Sequence, residues 1–92
     1  MEYKVGQVVF SKSGHDKGDA LLVVAVEGAY VYLADGKRRK LEKPKRKKVI
    51  HIQPTNYVEE TVAKKLTEGS YLLDAEIAKV LKAFCEKESN QA

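Results

Sequence analysis

Hydrophobic residues in the first half of the chain come in short runs between turn residues, a pattern that predicts β-strands. These runs cover residues 8–10, 20–26, 30–33 and 49–52. The second run is apolar throughout, which suits a strand buried on both faces, whereas the third alternates, with Val31 and Leu33 on one face. Turns are expected at Glu27-Gly28-Ala29 and Asp35-Gly36, and the last strand is expected to end at Gln53-Pro54. Four or five short strands in about fifty residues predict a small, closed or nearly closed barrel.

The second half of the chain changes to a helical period, and we expect two short helices there. The first helix starts near Tyr57, with Thr55 or Asn56 as its cap, and stops at Gly69. Its apolar positions are Val58, Val62 and Leu66. The chain then divides into a mainly β part, residues 1–55, and a helical C-terminal extension, residues 56–92.

The second helix is expected to be capped by Asp74 and to carry a single apolar stripe. The stripe consists of Ile77, Val80, Leu81, Phe84 and Cys85, with Cys85 as a small buried hydrophobe. Residues 86–92 are polar and are expected to fray. The stripe either packs against the strands or serves as a docking or dimer surface, and the oligomeric state stays open.

Composition narrows the class of protein. Ninety-two residues, 43% of them hydrophobic, suffice for one small domain, whereas a charged fraction of 33% is too high for a membrane protein. The longest apolar run, residues 20–26, is far short of the ~20 residues that span a bilayer. No export leader opens the chain, one cysteine forms no internal disulfide, and no Cys/His cluster indicates zinc. These features predict a soluble, cytoplasmic protein without metal or other cofactor.

Charge is unevenly distributed along the chain. Residues 1–54 carry a net charge of +6 and residues 55–92 a net charge of −2. Nine of the twelve residues in the segment 37–48 are basic: Lys37, Arg38, Arg39, Lys40, Lys43, Lys45, Arg46, Lys47 and Lys48. Because Pro44 breaks this segment, we expect an irregular loop that holds phosphates. The alternative is a solvated loop that aids solubility.

The loop between the first two strands is the second candidate site. Its candidate contacts are Lys12, Ser13, Gly14, His15, Lys17 and Gly18. Glycines permit positive φ and close approach of a partner, and the two lysines can hold phosphate. The alternative is a hairpin connection whose glycines only satisfy the geometry of the turn.

The residues from Gly6 to Gly18, GQVVFSKSGHDKG, followed by Leu21-Leu22-Val23-Val24, resemble a KOW motif. Together with the basic run and the ending Ile50-His51-Ile52-Gln53-Pro54-Thr55, they are similar to the fourteen-e type of archaeal and eukaryotic large-subunit ribosomal protein. Small stand-alone KOW-domain proteins of Gram-positive bacteria are similar too. The resemblance covers about residues 5–55. It implies an SH3-like β-barrel that binds RNA through the glycine-bearing loop and the basic residues near it.

Other candidate residues are less specific. Tyr30 and Tyr32 share one strand face, where they either pack under the helices, which we favour, or stack on unpaired bases. His51 is expected to be a hydrogen-bonded structural residue. Asp16 and Asp19 have no paired His or third carboxylate, so no catalytic constellation is visible and we expect no enzyme.

The function predicted from these features is non-catalytic binding of structured RNA, with ribosomal RNA foremost. The chain would act as a ribosomal or ribosome-associated protein in translation, with ribosomal proteins as further neighbours. A protein-interaction module and a transcription-associated KOW factor are the alternatives. The steep charge asymmetry favours RNA.

Overall fold

A computed structural model describes residues 3–14 and 18–90 of the chain. The elements are β1 (Gln7–Ser11), β2 (Ala20–Glu27), β3 (Tyr30–Ala34), β4 (Lys45–Lys48), a 3-10 helix (Val49–His51), β5 (Ile52–Val58), α1 (Glu60–Glu68) and α2 (Asp74–Asn90). The strands form one five-stranded antiparallel sheet in the order β4-β3-β2-β1-β5. The prediction of a mainly β chain with two C-terminal helices is confirmed at this level. No helix of the described residues is long and apolar enough to span a bilayer.

The sheet buries side chains on both faces, because successive strand residues point in opposite directions. One cluster, the helix-side core, contains Val8, Leu22, Ala34, Val62, Ile77, Leu81 and Phe84. The other, the inner core, contains Val9, Leu21, Val23, Val31, Leu33 and Ile52. The run 20–26 is therefore buried on both faces at its start, as predicted, but Val26 near its end is 42% exposed.

The expectation of an irregular loop through residues 37–48 is wrong for its last third. Lys45–Lys48 forms β4, an antiparallel partner of β3. Pairing satisfies the backbone groups of this segment that face β3, and the alternation of strand side chains distributes its four cations over two faces. Pro44 lies just before the strand, where its missing N–H costs no ladder bond.

The strand predicted at residues 49–52 is also wrong. Val49–His51 is a 3-10 helix, and β5 begins at Ile52 and runs through Pro54 to Val58. Proline is tolerated there because β5 is an edge strand that pairs only with β1. His51 is exposed in the 3-10 helix rather than packed in a strand.

The first helix therefore begins later than the sequence predicts. Its first residue is Glu60, and neither Thr55 nor Asn56 caps it. Both lie within β5, where the Thr55 hydroxyl donates to the Val8 carbonyl oxygen at 2.7 Å. The helix ends at Gly69, which adopts a left-handed conformation (φ 72°), as predicted.

The second helix begins at Asp74, but the Asp74 carboxylate does not cap it. That carboxylate accepts the backbone N–H of Leu41 at 2.7 Å instead. Leu73 and Glu76 form the capping pair, since the Leu73 N–H donates to Glu76 Oε2 at 3.2 Å and the Glu76 N–H to the Leu73 carbonyl at 3.0 Å. The helix continues to Asn90, so the fraying expected from residue 86 is wrong over most of its length.

The apolar stripe of α2 packs against the sheet, the first of the two alternatives that the sequence leaves open. Ile77 is fully buried, and Leu81 and Phe84 are 7% exposed. The Phe84 ring lies 6.0 Å from Phe10 and 5.4 Å from Tyr57, between centroids. The tyrosines predicted to lie under the helices, Tyr30 and Tyr32, are absent from this cluster. Cys85, predicted to be buried, is exposed because it lies one residue past Phe84 on the helix surface.

Glycines at two positions let the helices approach the sheet. Gly36 has φ 81°, and a Cβ there would lie 2.9 Å from the Ala78 nitrogen and closer still to the Asp74 carbonyl oxygen. Gly6 has φ 91°, and a Cβ there would lie 2.7 Å from Ala63 Cβ. Contacts this short exclude a side chain at either position.

Candidate nucleic-acid interface

Strand β4 orders four of the nine predicted cations of the segment 37–48. Its register pairs Lys48 with Tyr30, Lys47 with Val31, Arg46 with Tyr32 and Lys45 with Leu33. Directly paired residues share a face, so Arg46 and Lys48 lie with the two tyrosines on the outer face of the sheet. Both cations are exposed.

Lys47 is turned towards the inner face and is only 9% exposed. Its ammonium donates to the Ser11 hydroxyl at 2.6 Å and to the Ser13 carbonyl at 2.8 Å. The Ser11 hydroxyl in turn donates to the same Ser13 carbonyl at 2.9 Å. Lys47, one of the cations predicted to hold phosphate, is therefore used within the protein, as a tether between β4 and the residues at the end of β1.

Arg46 lies against an aromatic ring of the neighbouring strand. Its guanidinium carbon is 3.7 Å from the centroid of Tyr30, well within the range of a cation–π contact. The contact restricts the guanidinium while leaving Arg46 exposed. The strand thus presents an ordered charge rather than a freely rotating one.

The segment before β4 is an ordered loop tied to both the sheet and α2. Asp35 Oδ1 accepts the backbone N–H groups of Lys37 at 2.8 Å and Arg39 at 2.9 Å. The Leu41 side chain packs against the helix-side core. This basic loop, residues 37–43, presents Lys37, Arg38, Lys40 and Lys43 as exposed side chains and Arg39 as a half-buried one.

One ion pair within this surface is weak. Arg38 Nη2 lies 3.8 Å from Asp19 Oδ2, with the two side chains 71% and 49% exposed. Exposed pairs of this kind contribute roughly 0–1 kcal/mol. Arg38 therefore remains accessible to a stronger anion.

The loop between β1 and β2 lies next to the tether. Lys12 is exposed, and its backbone N–H donates to the His51 carbonyl at 2.8 Å. Gly14 and Gly18 have φ 78° and φ 88°, and the Gly18 N–H donates to the Ser11 carbonyl at 2.9 Å. The expectation of positive φ for these glycines is confirmed. His15 and Lys17, the other predicted contacts of this loop, lie outside the described residues together with Asp16.

The fold therefore brings the two sequence-predicted regions together. Lys47 and Ser11 are 36 positions apart in the chain and 2.6 Å apart in space. Reasoning from the sequence missed the tether and the Arg46–Tyr30 contact. A run of four cations has no polar–apolar contrast, so it shows no period from which a strand could be recognised.

A separate groove of about 400 Å³ lies between the helices and holds none of the predicted site residues. Within it the Lys65 ammonium donates to Glu76 Oε1 at 2.7 Å, and this hydrogen bond, with the Leu73 N–H, holds the pKa of Glu76 below its usual value. The Tyr57 hydroxyl donates to Glu59 Oε2 at 2.7 Å, which raises the pKa of Tyr57. The groove mixes both signs of charge, unlike β4, whose four residues are all cations.

No protein-family model matches the chain, and no curated protein matches it either. Within the described part of the chain, no group of three or more His, Cys, Asp or Glu residues could hold a metal ion. The basis for a function is therefore the arrangement of the chain's own residues on β4 and the two loops beside it.

Proposed function

We propose that this chain is a non-catalytic RNA-binding protein of the KOW type, which binds structured RNA, and ribosomal RNA foremost, in cytoplasmic translation. The observation that carries the proposal is the exposure of seven cations on β4 and on the two loops beside it, with the Lys47 contacts joining β4 to one of these loops. These cations, here called the basic surface, are Lys12, Lys37, Arg38, Lys40, Lys43, Arg46 and Lys48. An A-form duplex offers little sequence to side chains in its deep groove, so capture of phosphates and recognition of shape are the mechanism.

The short connection between the two edge strands supports the finer proposal of an SH3-like barrel. The edge strands β4 and β5 are consecutive in the chain and separated only by the 3-10 helix Val49–His51. A connection of three residues keeps the last residue of β4 near the first residue of β5, as the closing of a barrel requires. The inner core joins Val31 and Leu33 of β3 to Ile52 of the edge strand β5 at the other side of the sheet, and a barrel needs such an interior.

Order within the basic surface supports binding of a shaped polyanion. Asp35 fixes the start of the basic loop, Tyr30 restricts Arg46, and Lys47 holds the β1–β2 loop against β4. Side chains that are already positioned lose less conformational entropy on binding. A merely solubilising loop has no need of such restraints.

A charge-reversal experiment with a matched control tests the proposal. One variant carries Arg38→Glu, Lys40→Glu and Lys43→Glu. The control carries Lys64→Glu, Lys79→Glu and Lys87→Glu, which remove the same charge from exposed positions of the two helices. Each variant is titrated against a structured ribosomal RNA fragment at several salt concentrations.

The first variant should bind more weakly. Its slope of log K against log salt should be less negative by roughly 2 to 3, or about one per lost phosphate contact. The control should keep most of the affinity and the slope. Equal losses in the two variants would show that only net charge matters. Sedimentation of cell lysate, with the protein followed across ribosomal fractions, separates a ribosome-bound protein from one that binds other RNA.

A further inference from the structure

The outer face of β3 and β4 carries two aromatic side chains that lie outside both cores. Val31 and Leu33 point into the inner core, so Tyr30 and Tyr32 point outwards. Ala34, on the same outward face, belongs to the helix-side core, whereas neither tyrosine packs against either core. Both tyrosines are half-buried, so part of each side chain is accessible.

The two tyrosines are flanked by cations on one side and by an acid on the other. Lys48 and Arg46 pair with Tyr30 and Tyr32 across β4. On the β2 side, Glu27 pairs with Tyr30. A phosphate is attracted to the β4 side of this face and repelled from the β2 side, which gives a bound RNA strand a preferred path along β4.

Arg46 extends the aromatic surface. Its guanidinium carbon lies 3.7 Å from the centroid of Tyr30. No carboxylate among residues 3–14 and 18–90 forms an ion pair with Arg46. The planar guanidinium can therefore accept a stacked base as well as a phosphate.

We infer that Tyr30, Tyr32, Arg46 and Lys48, here called the stacking platform, bind an unpaired base of the RNA, an inference that rests on the proposed RNA-binding function. A base inside a duplex has both faces covered by its neighbours and cannot stack on a protein ring. The favoured ligand is therefore a helix that carries a bulged or looped-out nucleotide. Its unpaired base stacks on the platform while Lys48 and the basic loop hold the adjoining phosphates.

Two RNA probes distinguish stacking from phosphate capture. One is a blunt-ended RNA duplex, and the other is the same duplex with one bulged 2-aminopurine, whose fluorescence falls when it stacks. Full-length protein should quench the bulged probe and bind it more tightly than the paired duplex, by about 5- to 150-fold, the range for one stacked base.

Arg46→Lys keeps the charge and removes the planar group. This variant should lose most of the quenching and of the preference for the bulge, while its affinity for the paired duplex stays within about twofold. The matched control is Arg38→Lys, the same change at an exposed position outside the platform, which should keep both properties. Tyr32→Leu gives a second test, with its melting curve measured to show that the fold is retained.

The outcomes separate this inference from the function on which it rests. Salt-dependent binding of both probes with equal affinity and no quenching would overturn the platform and leave RNA binding intact. If Arg46→Lys lost affinity equally for both probes, Arg46 would contact phosphate alone, and this result would overturn the platform too. Failure of the wild-type protein to bind either probe at low salt would overturn RNA binding itself.

Discussion

The ammonium of Lys47 donates a hydrogen bond of 2.6 Å to the hydroxyl of Ser11, and this contact joins the basic strand β4 to the loop after β1. A lysine 9% exposed gives up most of its hydration, which is costly unless its donors are satisfied. The second bond, to the Ser13 carbonyl, provides part of that compensation. Lys47 is therefore a structural part of the interface rather than one of its outward charges.

Replacing Lys47 should lower the free energy of unfolding, whereas replacing its neighbour Lys48 should hardly change it. Lys47→Met removes the donor to the Ser11 hydroxyl and one of the two donors to the Ser13 carbonyl, and it should lower the free energy of unfolding by about 1–3 kcal/mol. Lys48→Met removes the same charge from an exposed position and should change it by less than about 0.5 kcal/mol. Urea denaturation of both variants measures the difference. Equal effects would contradict the tether.

Gly36 and Gly18 both have positive φ, but only one of them is crowded. A Cβ at Gly36 meets the backbone of α2, whereas a Cβ at Gly18 meets no described atom within 4 Å. Gly18→Ala should therefore cost only the backbone strain, about 1–2 kcal/mol, and Gly36→Ala clearly more, about 3 kcal/mol or above. Melting temperatures provide the comparison. A Gly36→Ala protein as stable as Gly18→Ala would mean that α2 does not lie against this turn.

Phe84 tests whether the helices belong to the core. Its ring packs between Phe10 and Tyr57, so Phe84→Ala should destabilise the protein by about 3–5 kcal/mol. Cys85→Ala, at the exposed neighbouring position, should have little effect on the free energy of unfolding. If the helices instead formed a docking surface, Phe84→Ala would weaken self-association or partner capture and leave the melting temperature unchanged. Sedimentation equilibrium beside thermal denaturation separates the two results.

The hydrogen bond between Lys65 of α1 and Glu76 of α2 should weaken in acid. Hydrogen bonds from Lys65 and from the Leu73 N–H lower the pKa of Glu76, so the unfolded state binds a proton more readily than the folded one. The stabilisation is complete at neutral pH. It begins to fall as the pH approaches the usual pKa of a glutamate, about 4.3, and it is lost once the pH is below the lowered pKa of Glu76 in the folded state.

Glu76→Gln should therefore flatten the acid limb of the stability curve. Glu86→Gln makes the same change at an exposed position of the same helix and serves as the control. Denaturant midpoints measured between neutral pH and the acid range give the two curves. An acid limb in Glu76→Gln as steep as that of the wild type would assign the pH dependence to other carboxylates.

The sequence correctly predicted those parts of the fold in which apolar residues alternate with polar ones, as in a strand, or recur at the period of a helix. Val31 and Leu33 of β3, and Ile77, Leu81 and Phe84 of α2, lie on the expected buried faces. β4 carries no such contrast, because all four of its residues are cations, so only its pairing with β3 defines it. Pairing is a long-range property that a local pattern does not contain.

The candidate site shows the same limit. The sequence located the cations, but it could not tell that Lys47 points inwards and Arg46 outwards, since the direction depends on register. The last strand was predicted to end at Pro54, but β5 continues to Val58. The reason is similar, because an edge strand accepts a proline that a central strand would not. Tyr57 and Val58 fitted a helical period yet extend β5, where pairing with β1 decided their conformation.

The salt dependence of RNA binding tests the central claim most directly. If the basic surface neutralises six phosphates, log K should fall linearly with log salt with a slope of about −4 to −5, which weakens binding roughly 300- to 1,000-fold between 50 and 200 mM salt. The measurement is a fluorescence-anisotropy titration of a structured ribosomal RNA fragment with the full-length protein. A steep linear fall is the predicted result, and an affinity that is undetectable at low salt or unchanged across this range would contradict the account.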